Sequence, residues 1–147
     1  MVGNYQIVQA DGAALADASV LLTAGSQGAQ HVTFAIANRC ERTEPVALNA
    51  VLRQCDGGLI TNLIGRFPIQ RIGNGCSTEP LRLVIPTDEY CGLLGACVDA
   101  TFTINDSLTL DVPFVISGID VSTDAGYAIA NCCEQHLPAC AAVDAGD

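Results

Sequence analysis

"CVDATFTINDSLTLDVPFVI", residues 97–116, decides the fold. Val98, Ala100, Phe102 and Ile104 alternate with more polar residues, "NDS" interrupts at 105–107, and Leu108, Leu110, Val112, Phe114 and Ile116 alternate again. Successive side chains of a strand point to opposite faces, so a period of two marks a strand with one face on a core. Two such runs around a turn-forming triplet predict a long β-hairpin. Pro113 has no N–H to give a ladder, which predicts that the second strand runs at an edge or bulges there.

Working outward, the same alternation recurs in "HVTFAIAN" (31–38), with Val32, Phe34 and Ile36 on one face, and in "VALNAVLRQ" (46–54), with Val46, Leu48, Ala50 and Leu52. "LRLVI" (81–85) follows with Leu81, Leu83 and Ile85. Weaker strand signals lie in "YQIVQA" before the turn pair Asp11-Gly12, in "SVLLTA", in part of "LITNLIGRFPIQRI" and in "AGYAIANCC". "GNGCSTEP" reads as a loop, and the Ala-rich "AALADA" at 13–18 is the one plausible helical turn. The expectation is an all-β chain, a single-domain β-sandwich or jelly roll of about eight strands with extended terminal segments. Residues 1–12 form an N-terminal arm or edge strand in this reading, 13–130 the body and 131–147 a cysteine-bearing tail.

Composition narrows the function classes. Half of the 147 residues are hydrophobic and 15% are charged, a ratio that predicts some surface in contact with other protein. The net charge of -10 and a pI near 4.2 argue against nucleic acid and anionic membrane, whose phosphates need clustered cations. The chain has six Arg and no Lys, which removes Schiff-base chemistry, a P-loop lysine and Lys–Asn isopeptide staples. No segment has transmembrane quality, so membrane insertion is not expected. The first residues lack a signal peptide's basic and apolar regions, so a leader has been trimmed from this numbering or the protein leaves the cell by lysis.

The eight cysteines suit an oxidising destination. Cys40, Cys55, Cys76, Cys91 and Cys97 lie in the body; Cys132, Cys133 and Cys140 lie in the tail. Both counts are odd, so full oxidation requires at least one body-to-tail bond, within a subunit or between neighbours. Cys132 and Cys133 are adjacent, and Cα atoms about 3.8 Å apart strain a mutual bond. In an extended tail their thiols point to opposite sides and serve different partners, whether two bodies or two internal staples. Cys91 and Cys97 bracket a short loop that is able to close locally.

Rival chemistries find little support. No pair has the C-x₂₋₄-C spacing of a zinc knuckle, and a soft-ligand set of His136 with Cys133 and Cys140 is the weaker reading. No motif frames a catalytic cysteine around His31 or His136, and the carboxylates fall mostly in turns. Asp120 and Asp124 in "DVSTD" read as a solvated turn before a calcium loop. No enzyme activity, cofactor or metal is expected. Asn105 satisfies N-x-S and is a candidate glycan acceptor at the hairpin tip.

"NCCEQHLPAC" (131–140) resembles the Cys-Cys-x-Cys connector of disulfide-linked jelly-roll subunits from bacterial endospore appendages, the Ena type. Cys132, Cys133 and Cys140 carry the resemblance, here at the C-terminal side where that family's connector is N-terminal. The resemblance implies a connector whose cysteines bond to neighbouring copies in an extracellular fibre. The expected function is thus a self-assembling structural subunit on a cell or spore surface, its partners copies of itself. The alternatives are a secreted monomeric binding or adhesion module with internal disulfides, and a viral capsid or decoration protein.

Overall fold

A computed structural model describes residues 5–24, 30–40, 44–73, 75–85 and 90–135 of the chain. It is all-β, with ten strands and two short helices among the described residues. The strands are β1 (Gln6–Val8), β2 (Ser19–Ala24), β3 (Gln30–Asn38), β4 (Val46–Gln54), β5 (Leu59–Phe67), β6 (Gln70–Ile72), β7 (Gly75–Ser77), β8 (Leu81–Ile85), β9 (Cys97–Ile104) and β10 (Leu108–Ile119). The helices are α1 (Tyr90–Leu93) and α2 (Asp124–Gln135).

One curled sheet runs β5-β4-β9-β10-β2-β3-β7-β6, with β1 and β8 also paired to β3. Its centre is the hairpin that the alternation predicted, with Leu108 opposite Ile104 and Phe114 opposite Val98. Asn105 and Asp106 take φ of 55° and 59°, the left-handed region that Asn and Asp tolerate best after Gly. Ser107 N closes the turn by donating to Ile104 O at 3.2 Å. β4 then lies antiparallel against β9, Ala50 opposite Phe102, so their alternating apolar residues share one face. Phe102 meets Phe34 of β3 across the core, ring centroids 5.2 Å apart and tilted. Phe34, Ile36, Leu52, Leu83, Ile104 and Ile116 are fully enclosed around them.

β3 and β8 serve two sides of the curl. The first half of β3 pairs with β2 and β8, its second half with β1 and β7. β5 and β8 approach each other without a ladder, which leaves a seam where the sheet curls round.

Five expectations are corrected. β10 is interior: β9 flanks it on one side and β2 runs parallel to it on the other. Pro113 is tolerated because the β2 pairing starts only at Val115, and Pro113 O accepts from Asp17 N at that level. That parallel pair also departs from a jelly roll, which is antiparallel throughout. Residues 13–18 form no helical turn; Leu15 is enclosed, Ala14 bridges Val8 and Asp17 has φ of 60°, so the segment bends to deliver β2. Part of "GNGCSTEP" is strand β7, three residues long.

The fifth correction falls on the tail. "AGYAIANCC" is helix, not strand. A strand would put Tyr127 and Ile129 on one face, yet Tyr127 is 64% exposed and Ile129 is buried. Gly126, Ile129 and Cys133 make the buried stripe at i, i+3 and i+7. Thr123 caps the helix, its Oγ1 accepting from Gly126 N at 3.0 Å. α2 therefore continues past residue 131, through the start of the segment read as an extended tail.

Candidate assembly site

The disulfide frame comes first, because it decides what can move. Cys40 bonds Cys76, tying the end of β3 to β7, with Cα atoms 4.9 Å apart. Cys55 bonds Cys97 across the β4/β9 ladder, at 5.5 Å, beside the Cys55 N to Cys97 O hydrogen bond. Cys91 bonds Cys133, at 5.3 Å, and so staples α2 to α1. These closures span 36, 42 and 42 residues and interleave along the chain. In the chain-entropy model a loop of that size stabilises by about 4 kcal/mol.

The pairing answers two expectations. Cys91 and Cys97 do not close locally: Cys91 sits in α1 and Cys97 begins β9, whose ladder with β4 brings Cys55 to it. The body-to-tail bond that parity requires is Cys91–Cys133, and it lies within one chain. Cys133 is thereby withheld from Cys132. Successive side chains differ by about 100° on a helix, so Cys133 joins the buried stripe without any extended geometry. The sulfur of Cys132, and all of His136 and Cys140, lie outside the described residues.

On this braced body β5 ends the ladder order of the sheet, with β8 beside it across the seam. It bonds β4 along Val46–Phe67 through Arg53–Leu59, and among the described residues no strand pairs with its other side. Leu59 and Ile64 are 64% and 69% exposed. Leu63 and Phe67, on the core-facing side, are only partly covered, as expected where a sheet stops. Long edge strands normally carry devices against further pairing, such as charges, Pro or bulges. β5 has Arg66 and, at its first end, a register shift between Leu52 and Arg53 of β4; the stretch from Thr61 to Phe67 is regular.

The remaining candidates are placed but not gathered. His31 is buried within β3, and burial, with the Arg82 guanidinium second, holds its imidazole below the usual pKa. Asn105 is exposed at the hairpin tip, where its Oδ1 accepts from Ala47 N at 3.0 Å. Asp120 Oδ1 accepts from Ser122 N at 2.9 Å, and this hydrogen bond holds its carboxyl below the usual range. Asp99 has one buried oxygen without a hydrogen-bond partner, opposite Arg53 and Pro113 in register. No group of three His, Cys, Asp or Glu among the described residues is placed to hold a metal. A groove of about 380 Å³ over β3 is lined by Gln6, Val8, Ala35, Asn38, Cys76 and Thr78, among others, with Asp11 its one carboxylate. No described helix is long and apolar enough to cross a membrane.

Sequence reasoning missed β5 as the edge. Its apolar content was visible in "LITNLIGRF", but which strand ends a sheet depends on partners far away in the chain. Compared with known families and curated proteins, the chain matches no family model and no curated sequence.

Proposed function

We propose that the chain is a structural subunit of a self-assembling, disulfide-reinforced extracellular filament, in which a terminal arm of one copy adds as a strand to the β5 edge of the next. One observation carries this reading: a nine-residue strand, hydrogen-bonded on one side, presents Leu59 and Ile64 to solvent on a body held by three disulfides. Main-chain groups along such an edge give affinity and the exposed side chains give register. The disulfides belong to an oxidising environment, and they make the body stiff enough to be a repeating unit. Cys132 and Cys140 are the residues proposed to lock neighbouring copies.

The internal Cys91–Cys133 bond favours a second reading, a secreted monomeric module, because it meets the parity requirement without a neighbour. Electrophoresis separates the two. The filament reading expects ladders or retained material without reductant, collapsing to the 15.2 kDa chain with it. A single monomer band under both conditions selects the module.

A further inference from the structure

The three described disulfides differ in what a solvent thiol can reach. Cys76 and Cys133 are 3% and 8% exposed, so Cys40–Cys76 and Cys91–Cys133 each keep one cysteine inside the fold. Cys55 and Cys97 are both exposed. Thiol–disulfide exchange needs a thiolate to reach one sulfur and the other sulfur to leave as a thiolate, and burial disfavours that charged form. Among the described bridges, Cys55–Cys97 alone meets both conditions.

Its place in the sheet gives the two sulfurs different roles. Arg53 pairs with Asp99 and Gln54 with Val98, which puts Cys55 opposite Cys97 at the rim of the β4/β9 ladder. An attacking thiolate approaches from the side away from the leaving sulfur. β9 lies between β4 and β10, so for Cys97 that side faces β10, where Val115 stands opposite it. A cavity of about 190 Å³ opens there, lined by Cys97, Pro113, Val115 and Asp17 among others. Attack on Cys97 from this cavity expels Cys55. Arg53, two residues back on the same face of β4, sets a cation near the departing thiolate. Asp56 also follows Cys55, with its Oδ1 accepting from Gly58 N at 3.2 Å inside the turn.

The attacking side is acidic. Asp17 lines the cavity and no cation does. Asp99, two residues from Cys97 on the same face of β9, stands opposite Pro113 and has one buried oxygen without a hydrogen-bond partner. An anionic thiol is repelled from such a site, and one carrying an ammonium group is attracted.

We infer that Cys55–Cys97 is a thiol-exchange site, at which a small thiol bearing a cationic amine attacks Cys97 Sγ from the cavity beside Asp17. The incoming thiolate forms a new S–S bond to Cys97, the Cys55–Cys97 bond breaks, and Cys55 leaves as a thiolate that takes a proton from water. The exchange consumes the thiol and needs no further oxidant or reductant. The β4/β9 ladder continues from Gln54 and Val98 to Leu48 and Ile104, so the body stays folded when the bridge opens. The site serves a monomer and a fibre subunit alike, and does not depend on the assembly reading above.

Three small thiols offered separately to the full oxidised chain test it: cysteamine, mercaptoethanol and mercaptopropionate, which are cationic, neutral and anionic. They are compared at equal thiolate concentration, quenched with acid and excess maleimide, and the products mapped by mass spectrometry. The first product should carry cysteamine on Cys97 and maleimide on Cys55, formed at least about tenfold faster than either other described bridge opens. Cysteamine should outpace mercaptopropionate by about threefold or more, and added salt should narrow the gap. Asp17→Asn should narrow it as well with an unchanged melting curve, since asparagine tolerates the φ of 60° at that position. Cysteamine found first at another bridge, or on Cys55, overturns the site. Equal rates for the cationic and anionic thiols, or a gap that neither salt nor Asp17→Asn narrows, overturn the class of thiol.

Discussion

Gly126 packs against the chain just past the end of β10, and any Cβ there would collide with the Asp120 carbonyl. Gly126→Ala should therefore destabilise the protein by about 2 kcal/mol or more, read as a lower melting temperature, although alanine is the better helix former. Thr123→Ala, which removes the cap on Gly126 N, should cost about 1 kcal/mol by the same measurement. His31 makes a prediction with a sign. Its pKa is lowered in the folded chain, mainly by burial, so the unfolded chain binds the proton more readily. Its share of stability is complete above about pH 6.5, its unfolded value, and is lost as pH falls from there through the folded pKa. His31→Gln should flatten the pH dependence of melting in that window; an unchanged slope would assign it to other groups.

At the scale of elements, the sequence was most legible where alternation ran long. The read boundaries of β2, β4 and β8 coincide with the observed ones, because five or more residues with one buried face leave little freedom of register. β7 escaped because three residues carry no period. α2 escaped because Tyr127 and Ile129 imitate a strand while the true stripe includes Gly126, which has no apolar side chain to betray it. Thr123 and Asp124 at its start were the available signal, a capping residue followed by an acidic first turn. Disulfide pairing was legible only through parity, since Cys55 meets Cys97 through a ladder between strands 42 residues apart. The Cys91–Cys133 staple predicts a local effect. Replacing both by Ser should lower the melting temperature by on the order of 10 °C. Hydrogen exchange should quicken in α2 before the β9/β10 hairpin, because no other covalent bond among the described residues holds the helix.

For the whole molecule, composition predicts protein contact and an oxidising destination, and the three disulfides among the described residues fit the second. A chain that is half hydrophobic encloses its core around Phe34 and Phe102, yet ends its ladder order on β5, an edge with Leu59 and Ile64 exposed. Which strand became that edge was not legible, because sheet order arises from contacts between distant segments. The filament account is tested most directly by electron microscopy of the oxidised protein, concentrated without reductant. It predicts fibres with a regular axial repeat that fall apart or loosen when disulfides are reduced. A field of uniform single particles of 15.2 kDa mass, unchanged by reductant, would contradict it.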